Sequence, residues 1–473
     1  MIVERQKNFE KRILYTIFAG CIDYVYKGPK GQVRKEQMNL KSKIAVVAMA
    51  LTIVAGFSKA SAQGSSLNAY SPYTFYGIGD IRSQGIAVTR AMGGASIGFR
   101  NYLYVNTLNP ASYSSVRGNS FLSNFDMEGQ NFYARTSDAK TSYNTFNVRD
   151  IAMSFPLIKG MGVGISVTPY SSVGYDVNYY DQSPDVLGDV GQVFYSYAGS
   201  GDVTQFKAGV GYELFKNFSV GADLIYYHGK IVRTFSAEPT TITGSGGYYS
   251  LMGTSDEYVN SFFGTLGMQW TPVAKSDKVL TVGATWQIGG RMNNQVVESM
   301  PLNSTLLPGE DVIDREYVSG LQMPNVVSAG FYYHTDKYSF GADYEWADWG
   351  TRNKADQSDV LSFRNTNAVR LGGQYTPNRG DVRNAFNRFT YRAGVRWSQG
   401  YVVLHDRPIS DVALTMGVGI PLRMTGLSNV NLGLELGQRG TTKAGLSREN
   451  YLKFTVGFSL FGEDYWFVKV KYD

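Results

Sequence analysis

From about Asn119 onward the chain is a succession of short segments in which apolar and polar residues alternate. In VNLGLELGQ, Leu432, Leu434 and Leu436 face one way, and Asn431, Gly433, Glu435 and Gly437 face the other. FTYRAGVRW sets Phe389, Tyr391, Ala393, Val395 and Trp397 against Thr390, Arg392, Gly394 and Arg396. YSFGADYEW likewise opposes Tyr338, Phe340, Ala342, Tyr344 and Trp346 to Ser339, Gly341, Asp343 and Glu345. A period of two is the signature of a half-buried strand, and no stretch carries a convincing helical period. The apolar face ends in aromatics, while the other is mostly Gly, Ser, Thr and Gln with scattered charges. A soluble sandwich would point its apolar face inward and clothe the other in Lys and Glu. The pattern instead predicts an all-β transmembrane antiparallel barrel, apolar side to lipid, and a sheet in lipid has to close on itself.

About fourteen strands are expected. They centre near Phe125, Ala152, Ser166, Ala208, Ala222, Gly264, Ala284, Ser328, Ala342, Leu371, Ala393, Met416, Leu434 and Val456. Mostly short turns follow every second strand, at Leu157–Gly160, Phe215–Asn217, Thr271–Asp277, Thr335–Lys337, Thr376–Asn387 and Leu422–Ser428. Long connections intervene at Asp181–Gly201, Phe235–Ser255, Glu298–Gln322 and Gly350–Asn365. Short periplasmic turns and longer extracellular loops are what an outer-membrane barrel requires, and an even strand number puts both chain ends on the periplasmic side.

The N-terminus changes the charge balance. Lys41 and Lys43 precede an apolar run, Ile44–Phe57, and an A-x-A site at Ala60–Ala62, so residues 38–62 read as a secretory signal peptide with Gln63 as the mature start. The apolar run is short for a retained anchor, which is the alternative. Residues 1–37 lie upstream of a complete signal and read as a start-site extension. Removing the eleven Lys/Arg and four Asp/Glu of residues 1–62 from totals of 45 and 39 leaves 34 and 35, a net charge of −1 in place of +6. The basic balance thus belongs to the leader and implies no nucleic-acid partner. The single cysteine, Cys21, leaves with it, excluding disulfides and thiolate metal sites from the mature chain.

Ahead of the first strand, RAMGGASIGFRNYLYVNTLNPASY (Arg90–Tyr113) is rich in small residues, lacks the alternation, and ends in an Asn-Pro turn. Irregular backbone at membrane depth survives only inside protein or a watery lumen. Residues 63–118 are therefore expected to form an N-terminal plug within a barrel of residues 119–461, followed by a periplasmic tail, 462–473. A flexible periplasmic leader is the alternative, and it would leave Tyr73, Phe75, Tyr76, Phe99, Tyr102 and Tyr104 wet.

Gly93-Gly94-Ala95, then Asn109-Pro110-Ala111, then about fourteen strands resemble the FadL family of outer-membrane transporters for long-chain fatty acids and other hydrophobic compounds. LELGQRGTT and YWFVKVKYD resemble one branch of FadL-like proteins. The resemblance implies a hatch at Gly93, Gly94, Ala95, Asn109, Pro110 and Ala111, extracellular capture of a hydrophobic small molecule, and release sideways through the wall at a kinked third strand. In this chain that strand reads GVGISVTPYSSVGYDVNYY. Pro169 lacks a ladder donor and Gly174 weakens pairing, making both candidates for a lateral opening; a plain rim bulge is the alternative. Inward charges Asp343, Glu345, Arg370, Arg392, Arg396 and Glu435 are expected to form a lumen network that holds the hatch.

Three separated histidines, His228, His334 and His405, and GxG pieces lying within strands suggest no catalytic, metal or cofactor site. The sequence reading is thus a monomeric, non-enzymatic barrel of a Gram-negative outer membrane that meets outer-membrane lipid and a hydrophobic ligand. Its alternative is a FadL-like barrel that binds or shuttles in protein secretion or envelope assembly, with an envelope protein partner. A third reading is a lipid-modifying enzyme.

Overall fold

The computed structural model describes residues 69–463 except 137–138, 182, 190, 240–249, 276, 302–310, 355–360, 405 and 423–426. The expected extension, signal peptide and mature start, and most of the tail, lie outside the described residues. So does His405.

Fourteen strands make the wall: β1 Ser120–Arg135, β2 Lys140–Ile158, β3 Met161–Asp181, β4 Val193–Phe215, β5 Phe218–Pro239, β6 Leu251–Ala274, β7 Lys278–Ile288, β8 Val326–Thr335, β9 Tyr338–Ala347, β10 Thr366–Tyr375, β11 Thr390–Leu404, β12 Arg407–Pro421, β13 Asn429–Gly440 and β14 Arg448–Glu463. Each pairs antiparallel with its chain neighbours, and β1 closes on β14 from Ser120↔Glu463 to Arg135↔Arg448. Every expected strand centre lies inside its strand. Facing follows the alternation too: Leu434 and Leu436 are exposed on the outer surface while Glu435 between them is buried. On β9, Phe340, Tyr344 and Trp346 point out and Asp343 points in.

The turn end is tight, with two residues between β4 and β5 and Asn217 left-handed at φ 66°. At the loop end the structure departs from the expected loops. β4, β5 and β6 run 23, 22 and 24 residues, well beyond the ~10 that a tilted strand needs to span a bilayer. The expected Glu298–Gln322 connection likewise holds a hairpin, Asn294–Pro301 and Asp311–Val318, which adds to the upper part of β6. Above the hydrocarbon both sheet faces meet water or loops, so alternation no longer reports the strand.

Residues 69–116 lie against the inner side of this wall, and 117–119 are exposed. Residues 86–99 are buried without a break, in a short helix, Ala87–Arg90, and the turns after it. Pro110–Ser115 forms a 3-10 turn with Asn109 at its N-cap. Nearer the loop end, Tyr73 and Ile78 of this segment join Tyr170, Tyr227, Trp349 and Tyr401 in the largest apolar cluster. Tyr170 and Tyr227 sit 4.6 Å apart between ring centroids, and Trp349 stacks on Tyr401 at 4.5 Å.

Candidate functional site

Backbone touches backbone where the N-terminal segment meets the wall. A Cβ on Gly372 would lie 2.1 Å from the Met92 carbonyl oxygen, one on Gly394 2.2 Å from the Gly93 nitrogen, and one on Gly283 2.2 Å from the Ile97 oxygen. The pattern continues round the barrel, with Gly267 against Asn109, Gly211 and Gly221 against Pro110, and Gly162 against Tyr113. These inward glycines form a groove that the segment follows as a collar. Of the GxG pieces, Gly162, Gly164 and Gly211 belong to it, while Gly209 meets Ala222 and Asp223 of β5.

All six hatch candidates are in the collar. Gly93 and Gly94 adopt φ of +69° and +89°, conformations that favour glycine. Ala95 and Ala111 are almost fully buried. Asn109 accepts a hydrogen bond from the Ala111 amide at 3.1 Å, while its side-chain amide donates to the Ile97 and Met268 carbonyls at 2.9 and 3.1 Å. It ties the segment to itself and to β6.

The wall parts between β2 and β3. Their ladder runs from Ile158↔Met161 to Ile151↔Val167 and stops. A bulge marks each lip at that height. On β2, Asp150 pairs with Asp126 and Val148 with Met127, leaving Arg149 as the extra residue. On β3, Pro169 pairs with Thr204 and Ser171 with Val203, leaving Tyr170 as the extra one. Both extra side chains are buried. Bulges bend and twist a strand, and two facing ones separate their neighbours.

Pro169 therefore stands at a bulge, as its missing donor favours. Gly174 stays paired to Ser200, and its carbonyl accepts the Ser71 amide at 2.8 Å. A Cβ there would lie 1.7 Å from the Ala69 oxygen, so the glycine serves close approach.

A strap of the N-terminal segment covers the β3 lip. Asp80 and Ile81 pair with Ser172 and Ser171, and the Arg82 amide donates to the Tyr170 carbonyl at 2.9 Å. From the β2 lip, the Arg149 guanidinium donates to the Ser83 carbonyl. Across the lumen, Tyr401 donates to the Gly79 carbonyl at 2.9 Å and Arg439 pairs with Asp80 at 2.5 Å.

The six lumen charges divide between seating the collar and pairing along the wall. Asp343 accepts the Ser96 and Ile97 amides at 2.5 and 2.9 Å. Arg392 reaches Asn431 at 3.0 Å, and Arg370 pairs with Glu345 at 3.0 Å. Arg396 pairs with Asp411 at 2.8 Å and Glu435 at 2.9 Å, and Lys453 shares Glu435 at 3.2 Å. Sequence reasoning missed a second cluster. Arg90 of the collar sits 3.3 Å from Asp126 and 3.9 Å from both Glu128 and Asp150, with Arg149 3.8 Å from Glu128. Asp126 and Glu128 occupy inward positions of the alternating NFDMEGQ, a signal that was available. The bulge that turns Arg149 inward beside Asp150 left only the slip in phase between Val148 and Ile151.

A cavity of about 310 Å³ opens between the strap, the collar and the wall. Its lining includes Tyr170, Phe132 and Ile81, yet also Arg82, Glu128, Arg149, Lys207, Arg396 and Lys453. His228 stands apart on an exposed part of β5 near Asn260, and His334 lies beside Ser339 at 2.6 Å.

Among curated proteins none matches the sequence. Solved structures match the fold. A FadL homologue from Pseudomonas aeruginosa is 12% identical, with a TM-score of 0.56 over 81% of this chain and 99% of that one. The toluene transporter TodX of P. putida is 17% identical, with a TM-score of 0.53 over 80% and 99%. The toluene transporter TbuX of Ralstonia pickettii is 14% identical, with a TM-score of 0.52 over 80% and 98%. The barrel is thus FadL-like, an architecture of the Gram-negative outer membrane. The family model described as BamG matches residues 41–473, nearly the whole sequence, and the chain belongs to the BamG family.

Proposed function

We propose that this protein takes up a hydrophobic small molecule across the outer membrane, with a long-chain fatty acid as the model ligand. The molecule enters from the extracellular, loop end, passes the lumen cavity, and leaves into the bilayer between β2 and β3 when the strap lifts. The observation that carries this reading is the parted β2–β3 ladder with the strap Asp80–Gln84 across it, because an unbroken wall offers no lateral exit. The FadL-like fold of hydrocarbon transporters supports it. The charged lining suits an amphiphile with a polar head better than a bare hydrocarbon.

Ile81 and Ser171 are ladder partners, placing their Cα atoms about 4.5–5.5 Å apart, within disulfide range. Oxidation of an Ile81→Cys/Ser171→Cys variant should pin the strap and lower uptake of radiolabelled oleate, with a reductant restoring it. Unchanged uptake in the fully oxidised variant would sink strap gating.

Membership of the BamG family and the polar cavity favour a second reading, a binding or shuttle component of envelope assembly. Purification in native lipid followed by mass spectrometry separates the two. Bound fatty acid or hydrocarbon supports uptake, and stoichiometric envelope proteins without such ligand support assembly.

A further inference from the structure

We propose that the free lip of β2, Lys140–Asp150, is a docking edge for an extended segment of a partner polypeptide, which joins the barrel wall as an added strand. On its other side this lip is laddered to β1, from Asp126↔Asp150 to Arg135↔Lys140, with only the bulge residue Arg149 unpaired. On the gap side, no strand pairs with it among the described residues. Eleven residues, 140–150, thus line the opening, and ahead of the Arg149 bulge residues 140–148 present a row of alternate amides and carbonyls toward it.

Part of this row lies at membrane depth. Phe146 and Phe454 both pair with Gly129, and Val148 and Val456 both pair with Met127. Phe454 is 48% exposed on the outer face of β14, and Phe146 and Val148 are exposed by 70% and 47% on the same face of β2. Backbone polar groups beside hydrocarbon need hydrogen-bonding partners. An acyl chain supplies none, and a lipid headgroup supplies one cluster, not a repeat along the strand.

The opposite lip shows which occupant fits. β3 is covered by main-chain pairing with the chain's own Asp80–Ile81, extended by the Arg82 and Ser71 amides. The β2 lip is the matching half of the same opening without that cover. Its inner face is already held, with Tyr143 stacked on Tyr70 at 3.8 Å, so the edge is kept extended and ready to pair. The fitting partner is an extended segment with apolar residues at every second position, to lie beside Phe146 and Val148, and small or polar residues between them.

The test uses the full chain in nanodiscs of phosphatidylethanolamine and phosphatidylglycerol. A fluorophore is placed at Asn144→Cys on the lip, or at Val395→Cys on the outer face of β11 as a control. The probe is a quencher-bearing peptide of about ten alternating Val and Thr residues, alongside versions N-methylated at every second amide in each phase. Docking predicts saturable quenching at position 144 and not at 395. It also predicts weakening by about tenfold or more in the phase that blocks the pairing edge, since each lost main-chain hydrogen bond costs about 1 kcal/mol. Equal binding of both methylated peptides, equal quenching at 395, or no saturable quenching would overturn the proposal. Because no step reads uptake, the outcome is separate from that of strap gating.

Discussion

Replacing Gly394 by Ala tests whether the collar is held by backbone contact with the wall. The new Cβ would lie 2.2 Å from the Gly93 nitrogen, 2.3 Å from the Met92 carbonyl carbon and 2.8 Å from the Leu371 oxygen, all backbone atoms that cannot swing aside. The collar has to retreat by about 1 Å, the shortfall from ordinary van der Waals contact. That retreat strains two buried hydrogen bonds, Gly93 N–H to Thr415 Oγ1 at 2.9 Å and Thr415 Oγ1–H to the Ala91 carbonyl at 3.1 Å. Overpacking of about 1–3 kcal/mol plus about 1 kcal/mol for each of the two weakened bonds gives about 3–5 kcal/mol in all. On local opening this raises the detached population on the order of a hundredfold or more. The strand ladder lies elsewhere, so the barrel should keep its heat-modifiable gel mobility while trypsin cuts at Arg90, buried in the native protein, far faster. Gly433→Ala on β13 is the control, for its Cβ would meet only Thr455 Cβ at 3.5 Å, Thr455 Oγ1 at 3.9 Å and the Met416 oxygen at 4.0 Å. Cleavage of both variants at the same rate would refute the seating of the collar by glycine contact.

Leu434→Arg on the lipid face should cost about 2–4 kcal/mol if the position lies near the bilayer midplane, measured by urea titration of vesicle-inserted protein. Glu435→Gln should insert normally yet lose about 3 kcal/mol, because Arg396 and Lys453 share that buried carboxylate; normal stability of both variants would contradict the facing. Asn109→Ala removes three hydrogen bonds and should cost about 2–3 kcal/mol, seen as faster amide exchange across residues 97–113, with unchanged exchange counting against its role as tie. N-terminal sequencing of outer-membrane material should begin near Gln63, and retained Met1–Gln37 would defeat the leader assignment.

The wall was legible because its signal is local: lipid on one side and lumen on the other impose a period of two on each strand, as in Leu434, Glu435 and Leu436. The upper strands were not. Phe235–Ser255 reads as a loop, yet β5 continues to Pro239 and β6 starts at Leu251, since beyond the bilayer nothing forces one face to be apolar. Bulges escape for a different reason. In FNVRDIAM the extra residue moves the alternation from Phe146 and Val148 to Ile151 and Met153, and only the partner strand shows that the extra residue is Arg149.

A plug that meets the wall backbone to backbone needs small residues on both surfaces. The run from Arg90 to Tyr113 is only half of that signal; the other half is an inward glycine at one height on strand after strand, such as Gly211, Gly221, Gly267, Gly283, Gly372 and Gly394. β1 and β2 break the series. β2 contains no glycine, and Gly129 of β1 pairs with the outward Phe146 and Phe454. There the collar is held instead by Arg90 to Asp126, beside Glu128, Arg149 and Asp150, and the wall parts one strand further on. Close packing that would cost several kcal/mol to break thus covers most of the circuit. The strap beyond it is held by hydrogen bonds rather than close packing: main-chain bonds to β3, side-chain bonds from Arg149, Tyr401 and Gln205, and the Asp80–Arg439 pair. A lateral gate in this barrel is therefore expected to move the strap against a collar that stays in its groove.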